Sequence, residues 1–211
     1  MFDSIGFDEG FSVCSDPHFG HRLVSDLRGF STVAEHDAVV KDALLSADRD
    51  KPLFCLGDIS VHKDEYALEV FEDIIMQRNA PTILTPGNHD MAHEMFKNKS
   101  FNWVNEYSKV FDVVVNGFTL VFNSQQVRFQ HYPVWNGPAC DRSFEKEKTK
   151  MYWAPEGFDY YVHGHTHNKI PVRYKTVNVA LEAHNMKTVD SEDLKKMLKL
   201  SKNKTFLKKV K

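Results

Sequence analysis

Three short strand-like runs, each closed by a turn of aspartate, glycine, asparagine or proline, constrain this chain more than any other feature. They occupy residues 11–15, 53–56 and 82–85 and stop at Asp16-Pro17, Gly57-Asp58 and Pro86-Gly87-Asn88. The middle run, Leu53-Phe54-Cys55-Leu56, is apolar at every position. Such a strand has no polar face to offer water, so it must be covered on both sides. The cover lies between the runs. Residues 34–47 carry Ala34, Ala38, Val39, Leu44 and Leu45 at helical spacing, and residues 64–77 carry Ala67, Leu68, Phe71, Ile74 and Ile75 as an apolar stripe. Strands alternating with helices predict an α/β fold with helices packed outside the sheet.

The second half reads differently. Residues 110–115, 118–123 and 126–131 have strand character in close succession, with Asn116-Gly117 as a hairpin turn signal. Residues 137–153 are polar and irregular, residues 158–162 and 172–179 return to strand, and residues 191–200 read as a helix with Ser191 as its N-cap. There is no internal repeat and no low-complexity linker. At 211 residues the chain fits one domain spanning 1–211, with 201–211 a frayed basic tail.

Composition removes several classes. With 42% hydrophobic and 27% charged residues, the chain has the make-up of a globular protein. No apolar run approaches the ~18 residues of a membrane span, and Met1-Phe2-Asp3-Ser4-Ile5 has no basic region or apolar core of a signal peptide. Three cysteines (Cys14, Cys55, Cys140) cannot all pair, and Cys14 and Cys55 fall inside core strands as small apolar residues. A reducing, cytoplasmic setting is expected. The net charge of −2 argues against a broadly basic nucleic-acid surface. Eleven histidines are what composition leaves to be explained, since histidine is both the commonest metal ligand and the usual acid or base near neutral pH.

Their positions supply the explanation. Five turns follow apolar strands, and each carries metal-competent side chains: Asp16-Pro17-His18, Gly57-Asp58, Gly87-Asn88-His89-Asp90, His131 in Gln130-His131-Tyr132-Pro133, and His163-Gly164-His165-Thr166-His167. In α/β sheets, ligands bind outside the carboxyl ends of strands. Any one of these turns has an ordinary structural reading as a cap or a bend. Their convergence does not.

In order and identity these turns resemble the calcineurin-like metallophosphoesterase superfamily, in particular its small, uncapped bacterial and phage-type members. The family pattern runs D-x-H, G-D, G-N-H-[D/E], a lone histidine and G-H-x-H, and the matches extend from residue 16 to residue 167. The resemblance implies a four-layer α/β/β/α sandwich of two mixed sheets flanked by helices. It implies two divalent transition-metal ions, manganese foremost, with iron, zinc or nickel also suited to the donors. One ion would take Asp16, His18 and His167; the other would take Asn88, His131 and His165; Asp58 would bridge them, since a carboxylate has two oxygens. A metal-bridging hydroxide would attack phosphorus, Asp58 would act as a catalytic bridge, and His89 would protonate or stabilise the leaving alkoxide. His163 is expected to pack or to support the ligands.

The departures narrow the reading. Protein phosphatases of the family continue G-D into G-D-x-x-D-R, whereas this chain has Gly57-Asp58-Ile59-Ser60-Val61-His62. A protein phosphatase is therefore not expected, and Asp90 or Asp64 is left as the candidate to orient His89. No insertion is long enough for a cap domain. His21, Tyr132, Trp135 and Arg142 are candidate substrate contacts, with Trp153, Arg22 and Arg28 as further candidates, and aromatic rings could stack on a base. The expected activity is phosphodiester hydrolysis on a small nucleotide-like substrate. A nuclease of the same superfamily and a non-enzymatic scaffold are the alternatives. A metallo-β-lactamase-type site is rejected, because His165-Thr166-His167 runs into Asn168-Lys169 rather than Asp-His. The expected partner is a small phosphoester; membrane association is not expected, and nucleic acid is less favoured.

Overall fold

In the computed structural model, which describes residues 6–134 and 150–202, the three apolar runs become β1 (Ser12–Cys14), β2 (Leu53–Cys55) and β3 (Thr82–Leu84), parallel neighbours in one sheet. Side-chain alternation along them sets the layers. Cys14, Leu53, Cys55 and Leu84 point to one face, where Val40, Leu44, Phe71, Ile74 and Tyr107 cover them. Val13, Phe54, Leu56 and Ile83 point to the other, where they meet Val127, Phe129, Val162 and Val177 of a second sheet. Both faces are dry, which is why these strands tolerate no polar alternation.

The covering helices are α2 (Val33–Leu45), α3 (Asp64–Ile75) and α4 (Asn98–Val110), preceded by a short α1 (Arg22–Leu27). The first sheet is completed by β4 (Val113–Val114), parallel to β3, and β10 (Val189–Asp190), antiparallel to β1. The second sheet holds β5 (Phe118–Phe122), β6 (Gln125–Phe129), β7 (Tyr160–His163), β8 (Val172–Arg173) and β9 (Thr176–Asn178), in the order β5-β6-β7-β9-β8. Helix α5 (Ser191–Ser201) packs against β8, β9 and β10 and adds Leu194 and Leu198 to the inter-sheet core. The fold is thus two mixed sheets flanked by helices, as expected. The two sheets are joined by a phenylalanine cluster in which the Phe54 ring of β2 lies 4.9 Å from Phe118 of β5 and 5.9 Å from Phe129 of β6. Truncating one such buried ring to alanine costs about 3–5 kcal/mol.

Four details differ from expectation. Asn116-Gly117 is not a hairpin turn: Val113 and Val114 pair with β3, so the chain changes sheets there. The tight hairpin lies between β5 and β6, at Asn123-Ser124, both with positive φ. Residues 172–179 form two antiparallel strands rather than one, folded back at Lys175 with φ 59°. Asp190, not Ser191, caps α5, its carboxylate accepting the Asp193 N–H at 2.8 Å. Helices α1 and α4 are absent from the sequence-based reading; α4 is rich in asparagine and lysine, residues that dilute its periodic Trp103, Tyr107 and Val110. The tail beyond residue 202 and most of residues 137–153 lie outside the described residues. Among those described, no helix is long and apolar enough to cross a membrane.

Candidate metal centre

The carboxyl ends of β1, β2, β3, β6 and β7 meet along one edge, and the five turns meet with them. Their close approach depends on glycine. A Cβ on Gly87 would collide with the Asp58 side chain and backbone, and one on Gly164 would collide with Ser15 and the Asp16 carboxylate. These two glycines let a carboxylate lie directly on a neighbouring turn. A second backbone feature concentrates here: Asp16, His18, Asp58, His165 and His167 all have φ between 48° and 66°. Non-glycine residues rarely adopt this left-handed region, and strain of this kind gathers at functional sites.

Two groups of donor atoms result. In the first, Asp16, His18, Asp58 and His167 each offer an atom within 4.8 Å of the others. His18 Nε2 lies 3.1 Å from His167 Nε2 and 3.7 Å from Asp16 Oδ1, and His167 Nε2 lies 3.5 Å from Asp16 Oδ1. In the second, Asp58, His131 and His165 converge in the same way. Asn88 Oδ1 sits between them, 3.1 Å from His131 Nε2 and 2.8 Å from His165 Nδ1. Asp58 belongs to both groups, but through one oxygen rather than two: Oδ2 lies 3.8 Å from His18 Nε2 and 3.4 Å from His131 Nε2. Its Oδ1 instead accepts the His89 backbone N–H at 2.9 Å.

The far ring nitrogens of two donor histidines, His131 and His167, are held as a ligating imidazole requires. His131 Nδ1–H donates to the Leu56 carbonyl at 2.7 Å, leaving Nε2 to face the site. His167 Nδ1–H donates to Glu182 Oε1 at 2.5 Å. Glu182 follows β9 and appears in no motif; only its place beyond a sixth strand end could have flagged it. Its other oxygen pairs with Arg28 at 2.6 Å. Arg28, considered above as a phosphate contact, is buried and committed elsewhere: it donates to the Asp16 and Pro17 carbonyls and to His36 Nε2, at 2.7, 3.2 and 2.9 Å. His36 in turn donates to Asp37, which also accepts the Tyr66 hydroxyl.

Electrostatics fits a cation. Burial would raise the Asp16 carboxyl, but the imidazoles of His167, His18 and His131 outweigh it and hold it well below the carboxylate range. Asp58 is held low in the same way, chiefly by His131 against its own burial. Burial drives His18 down to about 4. His131, despite burial, is carried up to about 9 by Asp58. Clustered carboxylates and nitrogen lone pairs with no thiolate suit divalent Mn, Fe, Zn or Ni, and the residues present therefore fit the metals the sequence implies.

The remaining candidates separate. His89 is partly exposed beside His18, ring centroids 5.8 Å apart. Neither proposed carboxylate orients its ring. Asp90 accepts the backbone N–H groups of Gly87, Asp58 and Ile59 at 2.7–2.8 Å, stapling two turns together, and Asp64 accepts the Met91 N–H and the Tyr107 hydroxyl. Burial and the Asp58 charge push Asp90 well above the usual carboxylate range. His21 lies 5.7 Å from the His18 ring and lines the same cavity as His89. Tyr132 departs from the expected open stacking surface: it is 1% exposed, with its ring 4.4 Å from His165, so it packs against a donor. Trp153 is likewise buried. Arg22 is exposed and paired with Asp26. His163 belongs to neither donor group and is buried, its Nδ1 2.9 Å from the Gly164 carbonyl. Trp135 and Arg142 lie outside the described residues.

Against known proteins, the profile of the calcineurin-like phosphoesterases matches residues 11–169. The chain belongs to the calcineurin-like phosphoesterase family. This phosphoesterase shares its fold with a protein of unknown function from Aquifex aeolicus, at TM-score 0.61 and 20% identity, covering 89% of this chain and 98% of that one. An archaeal phosphodiesterase (16% identity, TM-score 0.37, 81% and 82% covered) and a phosphopantetheinyl hydrolase from Mycobacterium tuberculosis (17%, 0.38, 73% and 58%) are too distant to bear on the substrate. No curated protein sequence matches the chain. Family membership makes the protein a metal-dependent hydrolase of phosphoesters.

Proposed function

We propose that the protein is a dinuclear phosphodiesterase acting on a small phosphodiester, with Asp16, His18 and His167 holding one ion, Asn88, His131 and His165 the other, and Asp58 shared. The observation that carries this reading is the single oxygen Asp58 Oδ2, turned toward both donor groups at once. When bound, two divalent ions supply Lewis acidity toward the phosphoryl oxygens and activate water at neutral pH. The chain's own residues do the rest. Only two carboxylates, Asp16 and Asp58, enter the donor groups, so two divalent ions would leave the site net positive and attract an anionic ester. Glu182 adds no free charge, because Arg28 neutralises it. The peptide N–H of His89 fixes Asp58 while its imidazole faces the cavity beside His18, a placement suited to giving a proton to the departing oxygen. Manganese is the proposed ion.

The test is hydrolysis of bis-p-nitrophenyl phosphate against p-nitrophenyl phosphate after EDTA treatment and Mn²⁺ add-back. The reading predicts activity restored by metal and favouring the diester, with two ions per chain. Faster monoester turnover would remove the diesterase assignment. A single bound ion in a fully active protein would remove the dinuclear one.

A further inference from the structure

Beside the first donor group lies a cavity of about 560 Å³, lined in part by His18, His89 and His167. Leu23, Val24 and Leu27 of α1 and Met186 line the same cavity. That volume falls in the range of small-molecule sites, about 300–1,000 Å³, and far exceeds what a phosphoryl group needs. Leu23 and Leu27 are 60% and 74% exposed, one helical turn apart on one face. Isolated exposed apolar residues are ordinary, but an adjacent pair lining a cavity that also holds donor residues is not. Charged side chains on this cavity are few: Arg28 and Glu182 neutralise each other, and Lys169 is exposed.

We infer that this leucine-lined cavity binds the alcohol portion that leaves the ester, so the substrate is a phosphoester whose departing group is an aryl ring or a hydrocarbon chain. The inference rests on the hydrolase reading above. Hydrolysis breaks the bond between phosphorus and the ester oxygen, the oxygen of water goes to phosphorus, and the departing oxygen takes a proton. His89, the residue placed to give that proton, lines the same cavity as the leucines. A group leaving on the His89 side therefore leaves into the cavity that Leu23 and Leu27 line. A polynucleotide strand would instead call for basic side chains along this cavity.

The test uses two ligands that cannot be hydrolysed, 1-naphthylphosphonate and methylphosphonate, titrated calorimetrically into the Mn²⁺-loaded protein. The naphthyl compound should bind at least about tenfold tighter, the gain from burying roughly 60 Å² of apolar surface. Leu23→Gln/Leu27→Gln, exposed changes that keep helix propensity, should bring that ratio close to one, whereas Phe101→Gln on exposed α4 should leave it at the parental value. Equal affinity for the two ligands in the parent, or a ratio that survives the double change, overturns the inference while leaving the hydrolase reading intact. If the metal-loaded parent binds neither phosphonate, the inference falls too, and Mn²⁺-dependent turnover of bis-p-nitrophenyl phosphate tests the proposed function separately.

Discussion

The two halves of the candidate metal centre draw on similar residues but are braced by different means. Behind the first half stands a chain of charged side chains: His167 rests on Glu182, Glu182 on Arg28, and Arg28 on His36 and two carbonyls. Behind the second stand a backbone carbonyl, Leu56, and the buried rings of Tyr132 and Trp153. A carbonyl in a strand end cannot be mutated away, whereas a carboxylate can. The first half is therefore adjustable by single substitutions, and it is also the half that borders the leucine-lined cavity. The second half is fixed by the fold itself.

The sharpest way to break this comparison is to remove what the halves share. Asp58→Asn should weaken both ions and abolish turnover, a loss exceeding the roughly 10–100-fold expected of an outer-sphere partner. Metal content and rate measured together check this, and full activity with one ion retained would contradict it. Next in size, His89→Ala should slow esters with poor leaving groups by about 10²–10⁴-fold and p-nitrophenyl esters far less; equal losses across leaving groups would refute a proton-donating role. Glu182→Ala should lower affinity at the first ion alone, by about 10–100-fold. A two-site titration that shows both ions weakened equally would erase the asymmetry.

The smallest effect concerns pH. In the metal-free protein His131 titrates at about 9, so at pH 7 it holds a proton that an ion must displace. Metal uptake at the second site should release protons to an unbuffered solution and should weaken by up to about tenfold per pH unit below 9. For stability without metal, the raised value at His131 contributes below its ordinary 6.5 and is lost as pH rises through about 9. Burial lowers His93 and His163 from 6.5 to about 4, a contribution present above 6.5 and lost as pH falls through 4. Thermal melts of the EDTA-treated protein should therefore peak between those limits.

What could be read in advance follows the same physics. β1 to β3 were legible because burial on both faces forces apolar residues at successive positions, and the five turns because metal-competent residue types recur after strands. Helix α4 was hidden, since packing on one side asks little more than Trp103, Tyr107 and Val110 of its sequence. The sheet change at Asn116-Gly117 was hidden because β-strand pairing is a long-range choice that local turn chemistry does not decide. Glu182 has no local signature at all, being defined only by the His167 and Arg28 it meets across the fold.

Each donor group draws from both sheets: Asp16, His18, Asp58 and Asn88 follow strands of the first, and His131, His165 and His167 follow strands of the second. Neither sheet alone can assemble a site. An ion would thus join two structural halves whose contacts are far apart along the chain, and it could be captured only after they dock. Metal uptake in a refolding experiment should then be a late kinetic phase, trailing the recovery of helical signal. Choice of metal would be made by the finished protein, out of whatever ions surround it at that moment, rather than by the nascent chain.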